Sequence, residues 1–328
     1  MTQTENSHPD RAPGRDGRAA RRRRRAEQLM VPEAEFTSYY GRPVIKEPAW
    51  GVPDVPGYLF LGGLAGASSV LAAGAELSGY GELARVAKVG ALGAISLSAV
   101  ALVHDLGRPE RFVNMLRVFK PSSPMSVGSW LLSAYGPLAG AAAVSGVTGI
   151  LPAAGTAATL GAGLLGPAIA TYTAALICDT AVPGWHEGHR EMPYLFASSA
   201  SCAAAGLGLL TLPPAAARPA STLATLGAPA ELVAKRLLLR RLGDIAEPYE
   251  TGRPGRMLRA AELLTVGGLA GAVLGRRNRA VSALAGASLL AASALTRFGV
   301  FEAGMATARD PKYTIVAQRR RRDRRGMN

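Results

Sequence analysis

Chemistry in this chain has few residues to work with. Cys178 and Cys202 are its two cysteines, too few for an iron–sulfur cluster held by about four thiolates. A b-type haem in a membrane bundle takes its axial histidines from inside the helices. Of the four histidines, His8 lies near the start, His186 and His189 share a polar loop, and His104 alone borders an apolar segment. No haem is expected. The run Trp185-His186-Glu187-Gly188-His189-Arg190-Glu191 spaces two imidazoles for a metal, but its glycine breaks a regular face and no third ligand is fixed. It reads as a surface loop against a partner, and no metal is expected. The densest polar stretch runs His104-Asp105-Leu106-Gly107-Arg108-Pro109-Glu110-Arg111-Phe112 and then from Lys120 to Trp130. Gly107 and Pro109 punctuate a turn, Asp105 can pair with Arg108 or Arg111, and Ser126 can cap the helix that follows.

The elements that must position these residues are apolar. The chain has 328 residues, 48% of them hydrophobic and 18% charged, with 39 glycines, a mixture foreign to an ordinary soluble enzyme. Segments of about 20 mostly apolar residues cross a bilayer. Eight qualify, at about 56–77, 86–104, 126–149, 157–178, 193–213, 219–239, 258–275 and 280–299. Stretches such as Ala139 to Gly149 show no polar face of the kind a soluble helix carries. Runs such as Gly62-Gly63-Leu64-Ala65-Gly66 supply the small residues that let helices approach closely in lipid. The fold class is therefore all-α, a polytopic membrane protein of about eight transmembrane helices. The sixth span is the weakest, since Pro219, Pro229, Glu231, Lys235 and Arg236 fall within it.

Charge sets the expected orientation. Arg21 to Arg25 and Arg319 to Arg322 form basic runs at the two ends. Such runs could be nucleic-acid arms, but they flank a membrane segment, so they read as solvated tails beside lipid and no nucleic acid is expected. Residues 1–46 read as a disordered cytoplasmic tail without a cleaved signal, because an insufficiently apolar stretch follows Arg25. Residues 301–328 read as a second cytoplasmic tail. With eight spans and a cytoplasmic N-terminus, 31 of the 37 Lys and Arg fall inside and 6 outside, the distribution the positive-inside rule favours. Both termini are then cytoplasmic. Trp50, Trp130 and Trp185 all fall on that face, which marks a site or a docking surface there.

The residues Glu47-Pro48-x-Trp50, Tyr58 to Gly66, His104-Asp105-Leu106-Gly107-Arg108-Pro109, the block Lys120 to Trp130 and Tyr172-Thr173-Ala174 together resemble the NrfD/PsrC family over about residues 47–300. These are integral membrane subunits of polysulfide reductase-like and formate dehydrogenase-like molybdoenzyme complexes. The resemblance implies two four-helix bundles, about 56–178 and 193–299. It also implies electron exchange between a membrane quinone, expected to be menaquinone, and a ferredoxin-like 4Fe-4S subunit, with a molybdopterin subunit beyond it. The family places the quinone headgroup near the start of the first span and the end of the fourth. Aligned on Gly63-Leu64-Ala65-Gly66, Tyr58 takes a position where some members have His, Asp54 one where they have Asn, and Tyr172 falls on the family's Tyr-Thr motif.

Quinol oxidation releases two protons with two electrons, so it needs hydrogen-bond partners for both ring oxygens and a titratable relay. Tyr58 and Tyr172 can serve the first need, and Asp54, His104 or Glu231 the second. Asp105, Arg108, Arg111, Arg117 and Lys120 are read as the docking surface for the iron–sulfur subunit. Two other functions fit the composition, a passive membrane anchor and a transporter. A transporter should carry ionisable residues deep in its spans, and the second, third, fourth and eighth spans read as free of them.

Overall fold

A computed structural model describes residues 45–105 and 114–315. The basic tail expected over 1–46 lies outside them apart from its last two residues, as do Arg108, Arg111 and everything after Ile315. Eight long helices account for most of the described chain: α1 (Asp54–Leu77), α2 (Gly81–Asp105), α3 (Pro124–Thr148), α4 (Pro152–Cys178), α5 (Met192–Thr211), α6 (Arg218–Leu242), α7 (Gly252–Leu274) and α8 (Arg279–Arg309). Short helical turns at Pro183–His186, Gly243–Ala246 and Glu247–Glu250 link α4 to α5 and α6 to α7.

Local sequence explains where these helices stop and start. Gly149 ends α3 in the left-handed conformation (φ 72°) that glycine adopts without strain. Prolines fill the first turns of α3, α4 and α5, where no amide donor is missed. The Asn278 side chain accepts from the Ala280 and Val281 amides at 3.0 and 3.3 Å and caps α8. Ser126, expected as a cap, does something else. Its hydroxyl accepts from the Lys120 amide at 3.0 Å and donates to the Val118 carbonyl at 3.1 Å, tying the loop before α3, while Ser123 takes the cap position.

Within the first four helices α1 packs on α2 and α4, and α3 on α4; within the second four α5 packs on α6 and α8, and α7 on α8. The α1–α5 contact joins the two sets. Glycine sets the closest approaches. A β-carbon on Gly66 would sit 2.4 Å from the Gly166 carbonyl oxygen, and one on Gly166 would sit 2.5 Å from that of Gly66. The same reciprocal contact recurs between Gly206 of α5 and Gly286 of α8, at 2.6 and 2.5 Å.

Seven of the eight helices are long and apolar enough to cross a membrane; α6 is not among them. It nevertheless packs as its neighbours do. Ala220, Ala224, Ala228, Glu231, Ala234 and Leu238 bury one stripe of it, and Leu226, Val233 and Leu237 project from it exposed. Arg309 at the end of α8 pairs with Glu47 before α1 at 2.6 Å, so both ends of the described chain sit at one end of the helices. Lys312 adds a second tie there, 2.5 Å from Glu247. Its hydrogen bond holds the Glu247 carboxyl below the usual range, so this tie acts above ordinary carboxylate titration and fades as pH falls through the lowered value.

Two sequence expectations are corrected. The eighth span was set at 280–299 with a tail from 301, but α8 has 31 residues, about 46 Å at 1.5 Å per residue. Phe301, Ala303, Met305 and Ala308 are buried along its extension. The eighth span is expected to be free of deep ionisable residues, but Arg297 of α8 is 0% exposed; Lys88 of α2, near the end of the helices, is 8% exposed. Lys88 pairs with Glu76 at 2.6 Å, and Thr156 donates to the same carboxylate at 2.6 Å. A charge count assigns residues to loops and does not see which of them fold back into the protein.

Reporter domains fused after Gly252 and after Asn328 should report the same side of the membrane. Opposite sides would remove α6 as a crossing.

Candidate functional site

The end of the helices where α1 begins and α2 finishes gathers most of the reactive residues. Asp54 opens α1, where a carboxylate complements the exposed amides, and His104 closes α2, where a cation does the same for the last carbonyls. The two meet: His104 Nδ1 is 2.8 Å from Asp54 Oδ2, an ion pair when the imidazole is protonated and a hydrogen bond otherwise. The His104 side chain is 77% exposed and that of Asp54 25%, so the imidazole links a sheltered carboxylate to the surroundings. Gly51 folds over the pair. Its amide donates to Asp105 Oδ1 at 3.3 Å, and a β-carbon there would lie 3.6 Å from that oxygen and 3.9 Å from Asp54 Oδ2.

One turn below Asp54, Tyr58 is buried, and its carbonyl accepts from the Ser98 hydroxyl at 3.2 Å. The Tyr58 side chain is an electrostatic neighbour of Tyr172 and Asp105. Tyr172 arrives from α4 and lies against Gly128 of α3, where a β-carbon would fall 2.5 Å from its ring. Gly128 is thus the opening that admits the phenol. The structure brings together Asp54, Tyr58, His104, Asp105 and Tyr172. It places Glu231 elsewhere, in α6 between Thr265 and Thr296.

Of the expected docking residues, Arg117 and Lys120 are exposed at this same end. Asp105 accepts from the Gly51 amide; Arg108 and Arg111 lie outside the described residues. Exposed Phe119 and Trp130 meet edge-on at 6.2 Å beside Lys120, an apolar contact among the basic residues.

Of the loop read as a surface, His186, His189 and Arg190 are exposed, but Trp185 is not. It is 0% exposed, stacks on Trp50 at 5.6 Å, meets Phe301 at 5.5 Å and donates from Nε1 to the Val300 carbonyl at 3.0 Å. His186 and His189 face the carbonyls of Cys178 and His186 at 3.2 and 2.9 Å, and among the described residues no three metal-ligand side chains gather. Beside the Trp50–Trp185 stack lies a cavity of about 580 Å³, lined by Glu47, Trp50, Arg253, Phe301, Glu302 and Arg309.

Sequence reasoning missed Arg297, counting it with the cytoplasmic charges from the end of the eighth span onward. Its one signal is that the small and apolar run continues past it, through Gly299, Val300 and Phe301 to Gly304.

A model of the family described as polysulphide reductase, NrfD matches residues 45–222, which hold α1 to α5 and the first turn of α6. The chain belongs to this family and is a multi-pass membrane protein of the kind that serves redox complexes as a membrane subunit. Comparison with curated proteins finds no match.

The Trp185 packing gives a direct test of the site's framework. A β-carbon on Gly304 would fall 1.8 Å from Trp185 Nε1, so Gly304→Ala should lower stability by about 1–3 kcal/mol through overpacking and shift tryptophan fluorescence. Gly74→Ala, which meets open space, should change neither. Equal melting of both variants would mean that the indole is not held as described.

Proposed function

We propose that the chain is the quinone-facing membrane subunit of a multi-subunit oxidoreductase, passing electrons between the membrane quinone pool and a ferredoxin-like 4Fe-4S subunit. The observation that carries this reading is the convergence of two phenols, Tyr58 and Tyr172, with the Asp54–His104 pair at the start of α1 and the end of α4. That donor set fits a quinone headgroup, since phenol hydroxyls can serve both ring oxygens and a carboxylate–imidazole pair can carry protons.

A bound quinone, menaquinone in this reading, supplies a two-electron, two-proton couple. The chain's residues do the rest. Tyr58 and Tyr172 orient the ring through their hydroxyls, and Gly128 fixes where the Tyr172 phenol can stand. Asp54 takes or gives a proton at its carboxylate, and His104, largely exposed, exchanges that proton with water. Phe119 and Trp130 offer the iron–sulfur subunit an apolar anchor, with Arg117 and Lys120 steering association; Arg108 and Arg111 belong to the same proposed surface. A molybdopterin subunit completes the complex. In this reading the protein lies in the cell membrane with both termini, and therefore the docking end, in the cytoplasm.

A lost neutral hydrogen bond costs about 0.5–1.5 kcal/mol. Tyr172→Phe and Tyr58→Phe in the assembled complex should therefore each slow quinone-coupled turnover several-fold. Activity with a soluble dye that bypasses the membrane should stay at the wild-type level. Wild-type quinone kinetics in both variants would move the pocket elsewhere, and a parallel fall of both activities would leave the chain as a passive anchor.

A further inference from the structure

The most deeply buried charge lies outside the family match. Arg297 is 0% exposed. Its Nη2 donates to the Phe196 carbonyl at 2.7 Å, and the guanidinium carbon stands 3.7 Å from the centre of the Phe196 ring. Its Nε and Nη1 have no partner among the described residues. On the α1 side it reaches Gly63, where a β-carbon would lie 3.1 Å from Nη2.

Glu231 is its electrostatic neighbour and is 3% exposed. The carboxylate accepts from Thr296 Oγ1 at 2.9 Å and Thr265 Oγ1 at 3.4 Å, and the Cys202 thiol faces it from α5. By helix rise Glu231 sits about 20 Å from the start of α6 and about 16 Å from its end, midway along the helix; ionisable groups at such a depth in a bilayer are expensive and mark function. A purely structural pair at this depth would close directly, the guanidinium fork on the carboxylate. Here two guanidinium nitrogens stay unpartnered by protein, and hydroxyls serve the carboxylate. Hydroxyls can donate to a carboxylate or accept from a carboxylic acid, so the setting accommodates both protonation states.

Charged side chains lie on one side of Glu231. One turn along α6, Lys235 Nζ bonds Glu262 Oε2 and the Leu258 carbonyl, each at 2.8 Å. The Lys235 and Glu262 side chains are 15% and 37% exposed, and Glu262 precedes Thr265 by one turn of α7. These groups lie between Glu231 and the Asp54 end. Toward the other end, Ala224 and Gly227 of α6, Gly268 and Ala272 of α7, and Leu289 and Ala285 of α8 are buried. A polar cavity of about 450 Å³ on that side is lined by Arg218, Ser221, Ala272, Arg276 and Ser282, and Ser221 lies about 15 Å from Glu231 along the helix.

We propose that Glu231 is a proton-exchanging carboxylate at mid-membrane, loaded from the Asp54 end past Glu262 and Lys235 and held opposite Arg297 through bridging water. The step is one proton passing from the aqueous side to the carboxylate, giving the acid; the threonine on the protonated oxygen turns from donor to acceptor, and the other goes on donating to the carbonyl oxygen. Water fits between the two groups because the unpartnered nitrogens and the carboxylate supply its hydrogen bonds. The second set of helices thereby gains a function of its own, and the inference stands without the quinone site.

The test is infrared difference spectroscopy of the full chain in lipid vesicles, between acidic and alkaline buffer, in light and heavy water and with no quinone added. The expected result is a carboxylic-acid carbonyl band that shifts in heavy water, is lost in Glu231→Gln and persists in Asp54→Asn. Thr296→Val, which removes one hydrogen bond and little volume, should shift the same band to higher frequency. A wild-type difference spectrum in both Glu231→Gln and Thr296→Val would overturn the proposal. Quinone turnover is not read, so failure here leaves the quinone reading intact, and failure of that reading leaves this one.

Discussion

Inside a bilayer no water is present to satisfy a loose backbone, so the chain must be helical through the hydrocarbon, and helices gain little from hiding apolar surface from lipid that is equally apolar. What brings them together is close fit. Gly66 against Gly166 and Gly206 against Gly286 let backbones touch where any β-carbon would collide. These contacts fix α1 on α4 and α5 on α8, and each pair carries a polar centre of its own. Tyr58 stands two turns above Gly66 and Tyr172 less than two turns past Gly166, so the first contact sets how the two phenols meet. Arg297 stands three turns past Gly286, so the second sets how its guanidinium lies against Phe196 and α1.

The polar groups that result are layered. The Asp54–His104 pair sits at one end within reach of water, Glu231 and Arg297 lie in the middle, and the Glu76–Lys88 pair lies near the other end, 22% and 8% exposed. The first layer is built for exchange, with an exposed imidazole on a sheltered carboxylate. The last is closed: Lys88 and Thr156 both serve the Glu76 carboxylate. Different exposure gives similar residue types different work, and the proposed redox site falls where a proton can leave to water and a partner can dock.

Much of this was legible in the sequence. The apolar segments located all eight long helices to within a few residues at most ends, because twenty apolar residues in a row have few other uses. Asp54, Tyr58, His104 and Tyr172 could be proposed from family motifs plus the positions of helix ends, and they come together. Other features were not legible, for physical reasons. Trp185 looked like loop surface because polar residues surround it in sequence, whereas its environment is Trp50, Phe301 and Gly304, all distant along the chain. Arg297 looked cytoplasmic because a helix longer than the bilayer is thick gives no mark of where the membrane ends. The neighbours of Glu231 were not legible either, since depth along a helix was known but not which of its faces met Thr265 and Thr296.

A photoreactive quinone analogue, added to the intact complex and activated by light, tests the central claim most directly. If the redox site lies where Tyr58 and Tyr172 converge, the label is recovered on peptides from the start of α1 or the end of α4, and excess quinone suppresses it. The chain offers a clear alternative in the apolar groove between α5 and α6, about 520 Å³ in volume and lined by Tyr194, Leu226 and Val233. Label confined to that groove, with none on the peptides holding Tyr58 or Tyr172, would contradict the account.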